Sequence, residues 1–297
     1  MSEIEFLVNY SDACDTVVYA GAAPGTHINF LSTLFPHLSF ILVDPRDFHT
    51  KSSDKITIVQ EYFTDEMALK YRGQGVLFIS DIRTSNWQIM SNEKVEESVN
   101  KDQDDQMRWH NIMVPHRSML KFRLPYVTSY QSKKYLSGKV YLPVWGPAST
   151  TETRLVPDAC PSNAIMEARS KKMTLEDINN KDFVNQCNTK VWDCLKYQDQ
   201  MFYFNNVTRV TFYHHDVEAD GIDHCYDCNA EIFILYNYLV WSGDVDDNTP
   251  DEEVAWLLSD FSESVSAGCS NSGRLLSHPM PVRWGDQDTK PNNEDEQ

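Results

Sequence analysis

Five places in this chain carry side chains, or lack them, in a way that could do chemistry if the fold brought them together. They are the small-residue turn Gly21-Ala22-Ala23-Pro24-Gly25, then Asp44, Asp81, Lys121 and Glu152. The turn follows a short β-branched and aromatic run, Thr16–Ala20, and an apolar-periodic segment (Ile28, Leu31, Leu34) opens behind it. Strand, small turn and helix start let backbone approach a nucleotide-like ligand closely, although an ordinary tight turn has the same composition. No Gly-Lys-Ser/Thr follows, so the turn is not a Walker A loop, and Ala23 breaks a full G-x-G-x-x-G. Asp44 closes the apolar run Phe40–Val43, where an acid either hydrogen-bonds ribose hydroxyls or caps a helix. Asp81 closes a second such run, Gly75–Ser80. Lys121 is either a catalytic group or a solvated, phosphate-contacting lysine, and Glu152 stands at the head of a further strand.

A sheet is needed to hold these groups. Strands are expected at Thr16–Gly21, Phe40–Asp44, Ile56–Val59, Gly75–Asp81, Lys139–Val144 and Glu152–Val156. Helices are expected to end at Tyr10, to run behind the turn to about Phe35, and to cover Thr64–Tyr71 and Gln106–Leu120. Asn92–Asp105 is polar enough for a loop or a solvated helix start. The alternation indicates an α/β fold, a mostly parallel central sheet with flanking helices. Beyond Pro157 the pattern loosens. Residues 158–182 form a polar, mobile insertion, Phe183–Phe204 a helix, Val207–His214 and Glu231–Trp241 strands, Asp244–Glu253 an acidic turn and Val254–Phe261 a short helix. The expected organisation is one domain over 1–241, a C-terminal extension over 242–284 and an acidic disordered tail over 285–297.

Composition narrows the function classes. Hydrophobic residues make up 41% of 297, enough for a sizeable core. No apolar run approaches a membrane span, and the acidic N-terminus lacks a signal pattern, so a soluble intracellular protein with no membrane partner is expected. Seven scattered Cys do not form a disulfide framework. A net charge of −18 argues against nucleic acid, but its distribution matters more than the sum. Between Gln106 and Thr151 there is no acid, while Arg108, Arg117, Lys121, Arg123, Lys133, Lys134 and Lys139 alternate with Trp109, Phe122, Tyr126, Tyr130, Tyr135, Tyr141 and Trp145. That stretch is either an electrostatic groove with stacking platforms or a mixed surface balanced by acidic neighbours.

Several motifs together carry a resemblance. Val-Val-Tyr-Ala-Gly-Ala-Ala-Pro-Gly-Thr-His (17–27), Ile-Leu-Val-Asp-Pro-Arg (41–46), Phe-Ile-Ser-Asp-Ile-Arg (78–83), Lys-Phe-Arg-Leu-Pro-Tyr (121–126) and Thr-Glu-Thr-Arg-Leu (151–155) occur in this order. The chain resembles the poxvirus-type cap-specific mRNA 2′-O-methyltransferases, Rossmann-like enzymes that are also stimulatory subunits of poly(A) polymerase in large DNA viruses. The resemblance implies methyl transfer from S-adenosyl-L-methionine to a cap-proximal ribose 2′-hydroxyl. It implies capped mRNA and a viral poly(A) polymerase catalytic subunit as partners, and the host cytoplasm or the virion as location. Cofactor contacts would come from Tyr19, Gly21, Ala22, Pro24, Gly25, His27, Asp44, Arg46, Asp81 and Ile82. Tyr126, Arg83 and Arg123 would meet the RNA or its cap.

In that family a Lys-Asp-Lys-Glu tetrad does the chemistry, and Asp81, Lys121 and Glu152 match its last three members. Lys121 is the expected base, oriented by the two acids. It must be neutral to accept a proton, a state that burial and a neighbouring cation favour and two acids oppose. The family's first Lys lies upstream of the segment matching Ser2–Leu7, and no Lys precedes Lys51 here, so either Met1 is an internal methionine of a longer protein or the cation that would favour a neutral Lys121 is absent. One cap-stacking aromatic would likewise lie upstream, one cap-reading carboxylate is replaced near Thr128, and another falls near Gln198-Asp199. His224-Cys225-x-x-Cys228, with His214 and His215, could hold zinc, but a second pair is missing and the resemblance implies no metal. The rival reading is a non-catalytic RNA-binding subunit that retains the fold.

Overall fold

In the computed structural model, residues 1–86, 88–126, 131–146, 151–179, 187–208 and 227–268 are described. The chain divides into two compact units, one of residues 9–142 and 152–197, the other of 1–8, 143–151 and 198–297. In chain order the elements begin α1 (Ser2–Tyr10), β1 (Thr16–Ala20), α2 (Ile28–Leu34), β2 (Ser39–Val43), β3 (Ile56–Val59), α3 (Asp65–Lys70) and β4 (Leu77–Ser80). They continue α4 (Asn92–Met113), β5 (Arg117–Phe122), β6 (Ser132–Leu136), β7 (Gly138–Tyr141), β8 (Thr153–Pro157), α5 (Ser162–Ser170) and α6 (Leu175–Asn179). Last come β9 (Thr189–Asp193), α7 (Cys194–Tyr203), a π-helical turn at Phe204–Thr208, α8 (Cys228–Ser242) and α9 (Asp251–Gly268). No helix among the described residues is long and apolar enough to cross a membrane.

The first unit is built on a seven-stranded sheet in the order β3-β2-β1-β4-β5-β8-β7. The five strands β3 to β5 run parallel, while β8 and β7 are antiparallel. The central strands are apolar without alternation, and Val17–Ala20 and Leu77–Ser80 are buried at every position. That is the pattern of strands covered on both faces, as a parallel sheet requires. Strands β6 and β9 form a separate antiparallel ribbon. Aromatic packing fastens it, with Phe122 of β5 stacked on Tyr135 at 5.6 Å and edged by Trp192 at 5.0 Å and Tyr197 at 5.7 Å.

Helix α4 departs from the sequence expectation and matters most for the site. It starts at Asn92, capped by the Ser91 hydroxyl accepting from the Lys94 N–H at 3.4 Å, and ends at Met113. The segment Asn92–Asp105 is therefore helix, and Arg117–Leu120, expected as helix, is strand. The buried face of α4 is largely polar, with Glu96, Asp102, Gln103, Gln106, His110 and Asn111 beside Val99, Trp109, Ile112 and Met113. Gln103 and Gln106 donate to the carbonyls of Arg123 and Lys121 at 2.8 and 3.3 Å. Asp102 accepts from the Thr84 backbone N–H and hydroxyl at 2.9 and 2.7 Å. The helix thus grips the ends of β5 and the loop after β4 by hydrogen bonds.

Other expectations are corrected as well. The 158–182 insertion carries α5 and α6, and Ala164, Ala168 and Ile178 are buried. Of the expected 183–204 helix, residues 183–186 lie outside the described residues, Thr189–Asp193 is strand paired with β6, and Cys194–Tyr203 is the helix α7. Glu231–Trp241 is the helix α8, not a strand, and the helix after it runs on to Gly268. In the second unit α8 and α9 meet through Tyr238 and Phe261, with ring centroids 4.7 Å apart. Buried Glu231 accepts from Ser262 of α9 and from the Trp145 indole N–H, the latter at 3.3 Å. Of the Val207–His214 strand, Val207 and Thr208 lie in the π-helical turn, and the rest lies outside the described residues, as does the acidic tail.

Candidate active site

Strands β1 and β4 are neighbours in the order β3-β2-β1-β4-β5, so the chain leaves them in opposite directions along the sheet. The crevice beyond their carboxyl ends is where open sheets of this kind take ligands. The turn after β1 lies there. Gly21 has φ +78, and a Cβ on it would stand 2.9 Å from the Ile82 backbone N, so the position tolerates no side chain. Gly25 also has positive φ, +68, with Thr50 and Phe48 close behind it. Asp44 follows β2, is 3% exposed, and accepts from the Ala23 N–H at 3.2 Å. It also takes the Arg46 backbone N–H and Nε at 2.9 Å each and Nη2 at 2.8 Å. Burial raises the Asp44 carboxyl, but these donors and the Arg46 charge outweigh it and hold it below the usual carboxylate value.

Asp81, Lys121 and Glu152 converge at the same edge of the sheet. Asp81 follows β4, Lys121 is the next-to-last residue of β5, and Glu152 precedes β8, whose antiparallel direction brings its start to this edge. Lys121 Nζ lies 3.3 Å from Asp81 Oδ1 and 3.1 Å from Glu152 Oε1, with 14% of the side chain exposed. Two arginines complete the cluster. Arg154 Nη2 is 2.6 Å from Asp81 and its Nη1 is 3.6 Å from Glu152, while Arg83 Nε is 3.2 Å from Glu152. Burial raises the Glu152 carboxyl, but Lys121, Arg83 and Arg154 together hold it below its ordinary value. Burial lowers the Arg83 guanidinium despite Glu152 beside it. Arg154 was not among the expected site residues. Its signal was available, since it stands two positions from Glu152 and so shares a face of the strand.

The remaining expected residues divide. Tyr19, Ala22, Pro24 and Ile82 frame the turn, and Tyr19 meets the His27 ring edge-on at 6.4 Å. The Pro24 carbonyl accepts from the His49 N–H at 2.9 Å, and His27 stands before α2 without capping it through its side chain. Tyr126 is 44% exposed with its ring over the Arg123 guanidinium at 4.8 Å. Arg123 itself is not presented to a ligand: it is buried and held by both Glu96 oxygens at 2.6 and 3.1 Å. Arg83 is likewise turned inward on Glu152 rather than toward RNA.

Among the described residues the acid-free stretch forms no continuous basic groove, because acids from other elements meet it. Arg108 pairs with Asp65, Lys121 with Asp81 and Glu152, Arg123 with Glu96, and Lys133 with Asp104. Of its aromatics, Trp109, Phe122, Tyr135 and Tyr141 are buried, and Tyr130 lies outside the described residues. His214, His215, His224 and Cys225 also lie outside them, as does Thr128.

A nucleoside cofactor fits the first half of this site. The turn offers bare backbone, and a buried carboxylate at the end of β2 is what a ribose diol requires. Arg46 occupies both oxygens of that carboxylate, but its side chain is 66% exposed and can swing off.

Comparison with known proteins finds a family and several viral relatives. Residues 1–250 match the family model described as poly A polymerase regulatory subunit. A cap-specific mRNA (nucleoside-2′-O-)-methyltransferase of fowlpox virus is 32% identical over 164 residues, 50% of this chain and 51% of that protein. The enzyme of the same name from myxoma virus (strain Lausanne) is 26% identical over 209 residues, 65% of this chain and 54% of the other. The chain thus spans about half the length of these curated relatives. Among solved structures, that of bluetongue virus VP4, described as a multifunctional RNA-capping production line, aligns over 67% of this chain and 30% of that one. Its TM-score is 0.48 at 12% identity, a likeness that adds nothing to the topology above.

Proposed function

The chain belongs to the poly A polymerase regulatory subunit family, and we propose that it transfers the methyl group of S-adenosyl-L-methionine to the ribose 2′-hydroxyl of a cap-proximal nucleotide of viral mRNA. The observation that carries this reading is the placement of Lys121 between Asp81 and Glu152, next to the glycine turn and Asp44. When bound, the cofactor supplies a sulfonium methyl that is already a good electrophile. The protein's share is to bring a ribose hydroxyl into line and to manage its proton.

The residues suit those tasks. Asp44 and the Gly21–Gly25 turn would hold the nucleoside, with Arg46 moved from the carboxylate toward the base. Asp81 and Ile82 would border the reacting centre. As an ammonium held by two carboxylates, Lys121 donates to the hydroxyl oxygen and steers it; as a neutral amine, it accepts the hydroxyl proton. Three cations (Lys121, Arg83, Arg154) against two carboxylates make the cluster net +1, and losing the Lys121 proton brings it to neutral. The amine form therefore does not face uncompensated acid charge, because the arginines supply the neighbouring cations. Tyr126 would offer a face to a cap or base, kept in place by Arg123 beneath it.

The family name also supports a second role, docking on a poly(A) polymerase catalytic subunit. One variant tests both. Lys121→Met should lose methyl transfer from labelled cofactor to capped RNA by about 100-fold or more. Its cofactor affinity by calorimetry and any lengthening of poly(A) tails by the partner polymerase should stay unchanged. A Lys121→Met protein that methylates at the wild-type rate would remove the catalytic reading and leave the binding subunit in its place.

A further inference from the structure

Apart from the candidate active site, the sheet unit buries a second cluster of chemically capable groups. His110 lies in the last turn of α4, Cys160 follows β8, and Cys187 precedes β9. All three are buried, at 1%, 5% and 5% exposure. Their ligand atoms lie within 4.8 Å of one another. We propose that His110, Cys160 and Cys187 bind one zinc ion, which staples the end of α4 to the segments next to β8 and β9.

The geometry is that of a donor set before metal entry. Cys160 Sγ is 3.4 Å from His110 Nε2. A sulfur at about 2.3 Å and a nitrogen at about 2.0 Å from a tetrahedral zinc would stand roughly 3.5 Å apart, so that edge needs almost no movement. His110 Nδ1 is 2.8 Å from the Ser118 hydroxyl, which fixes the ring and, with Nδ1 as donor, leaves the Nε2 lone pair facing the sulfurs. Metal-binding histidines are ordinarily anchored this way through the second nitrogen. Cys187 is anchored too, its backbone N–H donating to Asn111 Oδ1 at 3.1 Å. Ser118 of β5 and Asn111 of α4 thus orient two of the three ligands.

Arg72 is a second, independent observation. Its Nη1 donates to the Asn111 and Ile112 carbonyls at 3.4 and 2.6 Å, yet Nε and Nη2 are buried without a hydrogen-bond partner. That guanidinium is within electrostatic reach of Glu167 first, then of Cys187 and Cys160. No sulfur stands in hydrogen-bonding position to those two nitrogens, but the field of the guanidinium favours thiolates over thiols at Cys187 and Cys160. Nor does the guanidinium oppose the metal. Zinc entering as a dication displaces two thiol protons, so the net charge that Arg72 faces does not change. The described residues supply three ligands, leaving the fourth position to water. Zinc is favoured over calcium or magnesium because two donors are sulfur and none is a carboxylate.

The test uses the whole chain, purified under reducing conditions without chelator. Close to one equivalent of zinc by elemental analysis is expected, released by a thiol-blocking mercurial and registered by a chromophoric chelator. Loading the metal-free protein with cobalt(II) should give thiolate-to-cobalt charge-transfer absorption and the intense visible bands of a four-coordinate site. Cys187→Ser should abolish both and lower the melting temperature, whereas Cys14→Ser should leave both intact. The cobalt spectrum is read on the unaltered chain, so it decides the matter even if Cys187→Ser does not fold. Substoichiometric zinc with no cobalt–thiolate absorption would overturn the proposal. So would a Cys160–Cys187 disulfide found in the reduced preparation by mass spectrometry.

Discussion

Glu152 shows how much of the candidate chemistry is electrostatic. Burial alone would raise its carboxyl, and Lys121, Arg83 and Arg154 reverse that and hold it below the ordinary glutamate value of 4.5. A carboxyl depressed in the folded state adds stability that is fully present above its unfolded value and lost as pH falls through the folded one. Glu152→Gln removes that contribution. Wild type should therefore resist urea better than Glu152→Gln at neutral pH, and the gap between their midpoints should close between about pH 5 and pH 3. A gap that stays constant down to pH 3 would show that the three cations do not depend on the ionised carboxylate. Arg154 belongs to the same argument, because its guanidinium on Asp81 and Glu152 offsets the acid charge around Lys121. The groups at the strand ends were legible in the sequence because Asp44 and Asp81 close apolar runs. Arg83 and Arg123 were legible as cations, but their partners, Glu152 and Glu96, are set by a sheet edge and a helix distant in sequence.

At the scale of elements, what could be read followed which residues face the core. The parallel strands β1 to β4 announce themselves as short, mostly apolar and β-branched runs, and the central pair β1 and β4 is buried on both faces from Val17 to Ala20 and from Leu77 to Ser80. Helix α4 does so only in part, since Glu96, Asp102, Gln103 and Gln106 share its buried face, the last three interrupting the apolar period between Val99 and Trp109. Helix α8 fails in the opposite way. Ile234, Leu235, Tyr238 and Leu239 are buried at helical spacing, but exposed Phe233, Tyr236 and Val240 fill the other face and give the run a strand-like composition. The polar face of α4 makes a prediction. Arg123 and Glu96 form a buried bidentate pair between the helix and the residue after β5. Arg123→Met strands a buried carboxylate, and should cost about 3–5 kcal/mol in urea unfolding. Adding Glu96→Leu should recover most of that loss. Cap or RNA binding through Tyr126 should stay weakened in the double variant, because the guanidinium beneath the ring is gone. If the double variant is as unstable as the single one, the pair is not what joins these elements.

For the molecule as a whole, the net charge of −18 must be reconciled with the proposed RNA substrate. Pairing within the fold decides how. Most cations between Gln106 and Thr151 are engaged by acids or carbonyls, whereas Lys134 and Lys139 are exposed and make no ion pair among the described residues. Affinity for single-stranded RNA falls with salt by about 0.7 logarithmic units per neutralised phosphate for each tenfold rise in salt. Two free lysines therefore predict a slope near −1.4 for log affinity against log salt. Fluorescence anisotropy with a short uncapped RNA over a salt series measures it. The doubly substituted Lys134→Gln/Lys139→Gln chain should flatten the slope toward zero, and methyl transfer to capped RNA should then be limited by binding rather than by chemistry. A slope of −4 or steeper would mean that RNA draws Arg108, Lys133 and their neighbours away from the acids that hold them. The paired stretch would then be a latent groove, one that opens only when phosphate competes successfully with carboxylate.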